Sequence, residues 1–246
     1  MSGHSKWATI KHAKGAADAK RGQMFTKLIK EISIAARMGG GSLDGNPRLR
    51  TAILKARGAN MPKDNIDRAI KKGTGELEGV SYEELTYEAY APGGVAVLIE
   101  VLTDNKNRAA ADVRNILTRA GGQLATAGSV SRLFRRQGII TLDGDKYTED
   151  QVMEAAIDGG AEDVSLSDGI IEVTTAPEDF EAVLNVLNDK NFETLSAEVS
   201  MVAETEMALD NDATAKAMKL VERLEENDDV QNVYSNIEIP EGFEAE

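Results

Sequence analysis

Apolar positions in the first third of the chain recur at helical spacing. Met24, Phe25, Leu28, Ile29, Ile32, Ala35 and Ala36 fall three or four residues apart from about Arg21 onward, and Gly39-Gly40-Gly41 ends the run. Asn46-Pro47 opens a second helix as cap and first-turn proline, with Leu49, Ala52, Ile53 and Ala56 as its inward stripe. A third follows Pro62, carries Ile66, Ala69 and Ile70, and stops at Gly73. Beyond the glycine-rich link Gly73–Gly79 the period switches to two. Thr86–Tyr90 and Val95–Leu102 read as strands around a Pro92-Gly93-Gly94 turn. A helix from about Arg108 to Ala120 then turns Ala109, Val113, Ile116 and Leu117 inward and stops at Gly121-Gly122.

Residues 138–204 read strand (Ile139–Leu142), helix, strand, strand, helix, strand. Thr148 and Gln151 form a capping box for the first of those helices, Phe180, Val183, Leu184 and Leu187 line the second, and Leu195–Val202 is the last strand. The order βαββαβ is the ferredoxin-like pattern. A helix through Ala217, Leu220, Val221 and Leu224 and a strand over Val233–Ile239 follow, and the preceding unit has no place left for them. They complete instead the unfinished ββα unit that begins near residue 80.

The fold class expected is therefore α+β in three domains. An N-terminal three-helix domain precedes two ferredoxin-like α/β domains, the third inserted within the second. The boundaries expected are a basic flexible arm over 1–22, a helical nucleic-acid-binding domain over 23–78, a discontinuous α/β domain over 79–137 and 205–246, and an acidic inserted domain over 138–204.

Charge changes this picture from architecture to function. The net charge of −14 hides a sorted distribution. Residues 1–72 carry sixteen Lys/Arg against five Asp/Glu, a net of +11, whereas residues 138–246 carry five against twenty-nine, a net of −24. A field of one sign confined to one region selects a partner of the opposite sign. The absence of cysteine excludes disulfides and thiolate metal sites and fits a cytoplasmic home. No apolar stretch follows the basic N-terminus, which argues against a secretory leader, and the run Val95–Ile99 is far too short to span a bilayer.

Catalytic chemistry finds little support. His4 and His12 are the only histidines and lie in the arm without cysteine or a carboxylate pair nearby. No phosphate loop, dinucleotide fingerprint or nucleophile elbow occurs. No catalytic residue, metal, cofactor or small-molecule substrate is expected. The basic residues carry the argument instead. Arg50 and Arg57 are seven apart on the second helix and share a face, as do Arg48 and Lys55. Outward cations of this kind displace counterions from a phosphate backbone. The contacts expected are Lys6, Trp7, Lys11, His12, Lys14, Lys20, Arg21, Lys27, Arg48, Arg50 and Arg57. Trp7 has two readings of equal standing, a ring that stacks on an unpaired base and an anchor for the arm. In Thr103-Asp104-Asn105-Lys106-Asn107-Arg108, Asn or Asp capping is the plainer account, with Lys106 and Arg108 also in place for a phosphate contact.

Several segments together resemble the YebC/PmpR family. They are Ser2-Gly3-His4-Ser5-Lys6-Trp7 with Ile10-Lys11-His12, Met61-Pro62-Lys63-Asp64-Asn65-Ile66 with Arg68-Ala69-Ile70, and Thr103-Asp104-Asn105 with Arg108. Gly121-Gly122, Gly128-Ser129-Val130, Phe134 and Gly138 continue the pattern, while Ala89 and Ala91 stand where the family usually has glycine. The resemblance implies the same three-domain order and a role as a bacterial DNA-binding transcriptional regulator. It also implies an alternative, a ribosome-associated translation factor that binds ribosomal RNA and aids synthesis of proline-rich stretches, because a mitochondrial relative activates translation. A monomer is expected, with the acidic third domain free to meet a protein partner.

Overall fold

The computed structural model describes residues 18–240. Three helices come first, α1 (Asp18–Gly39), α2 (Pro47–Gly58) and α3 (Lys63–Thr74). They close around Ile32, Ala35, Leu49, Ile53, Met61 and Ile66, all buried. Asn46 does more than cap α2. Its Oδ1 accepts from the Leu49 amide at 3.0 Å, and its Nδ2 donates to the carbonyls of Ala35 and Gly40, both at 2.8 Å. One buried side chain thus fixes the α1–α2 corner. At the α1–α3 contact the backbones nearly touch. A Cβ on Gly73 would stand 2.3 Å from the Ser33 carbonyl oxygen, so only glycine fits there.

The chain then builds β1 (Glu83–Tyr90), β2 (Ala96–Thr103), α4 (Lys106–Arg119) and the short β3 (Gln123–Leu124). It continues with β4 (Phe134–Asp143), α5 (Glu149–Ile157), β5 (Ala161–Ser167), β6 (Ile170–Thr175), α6 (Phe180–Asp189) and β7 (Thr194–Ala203). It finishes with β8 (Met207–Ala208), α7 (Asn211–Glu225), β9 (Val230–Ser235) and β10 (Ile237–Glu238). The β4–β7 stretch forms one antiparallel sheet in the order β5-β6-β4-β7, the ferredoxin-like arrangement. The other large sheet is β3-β1-β2-β9, and it takes its strands from both sides of the insertion. The fold is therefore α+β, with the third unit inserted in the second.

The middle sheet is covered on both faces. Val97, Ile99, Val101 and Val233 pack against Ala109, Val113 and Leu117 of α4 and Leu220, Val221 and Leu224 of α7. Ala96, Leu98 and Tyr234, on the opposite face, meet Val130, Phe134, Met201 and Ala203. That second cluster welds the insertion to its host sheet. Nearly continuous burial along β2 follows from this two-sided cover.

Observed elements extend beyond the expected ones where pairing, not periodicity, decides. β1 begins at Glu83 because Glu83, Glu84 and Leu85 pair with Thr103, Leu102 and Val101. β4 begins at Phe134, paired with Ala203, rather than at Ile139. The strand expected over Val233–Ile239 is broken at Asn236. Its Oδ1 accepts from the Ala96 amide at 2.8 Å and its Nδ2 donates to the Thr205 carbonyl at 3.3 Å, which redirects Ile237 to pair with Met207 in β8. The capping box of Thr148 and Gln151 is present as expected.

Candidate nucleic-acid interface

The cations of the helical unit sort into two sets, those already bound to protein and those facing solvent. Lys6, Trp7, Lys11, His12 and Lys14 lie outside the described residues. Lys20 belongs to the first turn of α1, and its side chain also lies outside them. Arg21 is exposed, its guanidinium carbon 5.9 Å from the centre of the Phe25 ring. Lys27 donates to the Glu225 carbonyl at 2.6 Å, at the end of α7. Arg48 forks onto Glu31 at 2.7 and 3.1 Å and also holds Glu84 of β1. Its hydrogen bonds to Glu31 raise its already high pKa, against the opposing effect of burial. Arg50 reaches Glu181 of α6 at 3.3 and 3.2 Å and the Leu43 carbonyl at 2.7 Å. Lys55 pairs with Glu198 of β7 at 2.9 Å.

Of the described cations expected to contact phosphate, Arg21 and Arg57 thus keep their charges clear of hydrogen bonds and ion pairs among the described residues. Arg57 shares a cleft of about 380 Å³ with Lys63 and Asp67, over Leu43, Ile53, Met61, Ile66 and Ile70. Beyond this cleft lies the outer face of α3. Ile66 and Ala69 point inward, so Arg68, Lys71 and Lys72 stand exposed on the opposite side. None of these three is hydrogen-bonded or ion-paired through its side chain among the described residues. Lys63, Arg68, Lys71 and Lys72 were absent from the expected contacts. Their exposure could have been inferred from the Ile66, Ala69, Ile70 stripe.

The Thr103–Arg108 loop carries structure first. Asn105 caps α4, its Oδ1 accepting from the Arg108 amide at 3.1 Å. Lys106 pairs with Glu83 at 2.5 Å, and Arg108 binds Asp104 at 2.6 Å and Asp229 at 2.8 Å. Both loop cations are therefore engaged within the protein. Asp229 is the hub of this region and gave no signal in the sequence beyond a short acidic turn. It is buried and accepts from Lys30 Nζ at 2.6 Å and Thr103 Oγ1 at 2.9 Å as well as from Arg108. Burial alone would raise the Asp229 pKa, but the three donors outweigh it and hold the carboxyl below its ordinary value.

A second carboxylate explains the Gly128-Ser129-Val130 segment. Glu88 accepts from the amides of Gly128, Val130 and Ser131 at 2.6, 2.5 and 3.0 Å. Here too burial pushes the pKa up and the backbone donors pull it down further, leaving it lowered. The loop is wrapped around an internal anion and has these amides occupied.

Among the described residues no group of three or more His, Cys, Asp or Glu side chains is placed to hold a metal ion. No described helix is long and apolar enough to cross a membrane. Family comparison matches residues 5–76 to the TACO1/YebC protein N-terminal domain and residues 82–237 to the TACO1/YebC second and third domain. A probable transcriptional regulatory protein of Treponema denticola is 68% identical over 244 residues, covering 99% of both chains. One from Treponema pallidum is 66% identical over 240 residues, covering 98% of both chains. Among solved structures, the conserved hypothetical protein Aq1575 from Aquifex aeolicus superimposes with a TM-score of 0.82 at 46% identity, over 91% of this chain and 93% of that one.

Proposed function

Because the chain belongs to the TACO1/YebC family, we propose that it is a DNA-binding transcriptional regulator that grips the phosphate backbone with its N-terminal arm and helical unit. The observation that carries this reading is the exposed cationic set Arg57, Lys63, Arg68, Lys71 and Lys72, whose charges meet no hydrogen bond or ion pair among the described residues. Lys6, Lys11, Lys14 and Lys20 of the arm and Arg21 of α1 add to the same grip. The relatives' shared name, probable transcriptional regulatory protein, points the same way.

In this reading the protein works in the cytoplasm as a monomer without catalysis, divided into the units expected from the sequence, except that α1 begins at Asp18, inside the expected arm, and β4 at Phe134, ahead of the boundary expected at 138. The acidic insertion repels nucleic acid, which orients the protein on the duplex and leaves that unit to meet a protein partner. The grip is one of position more than of sequence. Lysine and arginine on phosphate fix register and carry no base information.

Titration of labelled duplex DNA and of structured RNA across roughly 50–200 mM salt tests the reading. Binding to duplex that weakens steeply with salt is expected, and Lys71→Gln or Lys72→Gln should each lower the log–log slope by about 1. Failure to bind duplex at low salt, or a clear preference for the RNA, would overturn it.

A further inference from the structure

The cleft between α2 and α3 has a volume of about 380 Å³, within the roughly 300–1,000 Å³ common for small-ligand sites. Its floor is aliphatic, made by Ile53 of α2, Met61 of the connection, and Ile66 and Ile70 of α3. Leu43, from the α1–α2 loop, forms an exposed part of its wall. Hydrogen bonds fix the connection that shapes it. Asn60 takes the left-handed conformation at φ 58°, its amide donates to the Arg57 carbonyl at 2.9 Å, and the Met61 amide donates to the Ala56 carbonyl at 2.9 Å. This is the Schellman arrangement at a helix C-terminus, and it holds Met61 buried against the cleft. The cleft is pre-formed.

Three charged side chains line the same cleft. Arg57 and Lys63 bring one cation from each helix, and Asp67 brings a carboxylate one turn after Lys63. Arg57 and Lys63 are exposed and Asp67 is half-buried. None of the three is hydrogen-bonded or ion-paired through its side chain among the described residues. Asp44 and Asp64, their acidic neighbours in the chain, do not line the cleft. An apolar slot thus carries two partners for an anion and one acceptor for a hydrogen-bond donor.

We propose that this cleft takes a single unpaired nucleobase bearing an exocyclic amine, presented by the DNA strand whose phosphates Arg57 and Lys63 hold. The occupant's chemistry follows from the three features together. Apolar walls receive the flat faces of a base. Its amine donates to Asp67, as amino-bearing bases do to acidic side chains. The flanking phosphates meet the two cations. An apolar side chain from an acidic protein segment would suit the floor and the cations, but it would set carboxylates against Asp67 and carries no donor. The inference rests on the DNA-binding reading above and adds to its sequence-blind grip one contact that discriminates between bases. A base already unpaired costs least to take in, so a bulge, a strand end or a melted step is the place expected.

The test uses the full chain and labelled duplexes that differ at one central position, which is either fully paired or carries a bulged adenine, thymine or abasic residue. Fluorescence anisotropy at constant salt should show the adenine bulge bound about fivefold or more tighter than the thymine and abasic bulges. Asp67→Leu should bind paired duplex at least as well, having lost a negative charge, yet bring the adenine-over-thymine ratio within about twofold. Leu43→Ala should shrink the preference for adenine over the abasic bulge. Both side chains lie at the mouth of the cleft, so the urea midpoint should stay near that of the wild type. 2-Aminopurine at the bulge keeps an exocyclic amine, and its emission should rise as it leaves its stacked neighbours for an aliphatic slot. Tight binding of paired duplex with equal affinity for the three bulges would overturn this inference alone and leave the cleft to a protein segment. A preference that survives Asp67→Leu would overturn it as well, since the base would then be read elsewhere. A wild-type protein that binds no duplex, paired or bulged, would remove the DNA reading and this site with it.

Discussion

Lys30 and Asp229 are 199 residues apart in the chain and meet at 2.6 Å in a buried ion pair. The lysine also donates to the Asp228 carbonyl at 2.8 Å and lies 5.8 Å from the centre of the Tyr82 ring. This contact ties α1 to the start of β9, and so fixes the helical unit to the discontinuous sheet. Buried pairs of this kind stabilise little relative to an apolar replacement, yet removing one partner is costly because it strands the other.

Asp229→Ala is therefore expected to destabilise the protein by roughly 3–5 kcal/mol, because Lys30 stays buried without a carboxylate. Lys30→Met should cost less, about 1–3 kcal/mol, because Arg108 and Thr103 continue to satisfy Asp229. Urea denaturation of the two variants checks the order. Equal losses, or a larger loss for Lys30→Met, would show that Asp229 is not the hub.

Asp229 and Glu88 also set a pH dependence. Both carboxyls have folded-state pKa values below their ordinary ones. The unfolded chain therefore takes up protons first as pH falls, and stability drops with it. The contribution should be complete above about pH 4.5, the ordinary carboxylate range, and disappear as pH falls through the depressed values. Asp229→Asn and Glu88→Gln should each flatten the fall of the urea midpoint between neutral and acid pH. A profile as steep as that of the wild type would refute the assignment.

The elements most legible in the sequence were those in which one face is apolar. The α1, α2 and α3 stripes and the Thr148–Gln151 box express local rules, and the βαββαβ order with the closing helix and strand identified the insertion. What stayed hidden depends on partners distant in the chain. Glu83 and Glu84 carry no apolar signal, and they become strand because β2 offers them partners. Which cations face solvent was hidden for the same reason. Arg48, Arg50 and Lys27 look like solvent-facing cations until Glu84, Glu181 and the α7 terminus fold against them.

Two glycines in the helical unit should respond with opposite signs to the same substitution. Gly73→Ala would place a Cβ 2.3 Å from the Ser33 oxygen and 2.8 Å from the Ala36 Cβ. The overpacking should cost about 1–3 kcal/mol, more than the gain in helix propensity of about 1 kcal/mol. Gly22→Ala, in α1, meets nothing within 4 Å and should stabilise by up to about 1 kcal/mol. Thermal melts of the pair read the difference, and a stabilised Gly73→Ala would refute the close α1–α3 contact.

Arg50–Glu181 at 3.2 Å and Lys55–Glu198 at 2.9 Å bridge α2 to the inserted unit, and each side chain is partly exposed. Exposed pairs contribute only about 0–1 kcal/mol, so they hold the two units together weakly. They do, however, occupy cations that a phosphate backbone would also attract. Glu181→Gln/Glu198→Gln should change stability by less than about 1 kcal/mol per site. It should also raise duplex affinity severalfold at low salt and steepen the salt slope by up to about 2, one for each cation released. Glu178→Gln/Asp189→Asn removes the same charge from the same unit without freeing either cation. That control separates release from bulk charge, since it should raise affinity slightly and leave the slope alone. If both variants behave alike, Arg50 and Lys55 hold the inserted unit in place and take no part in the grip.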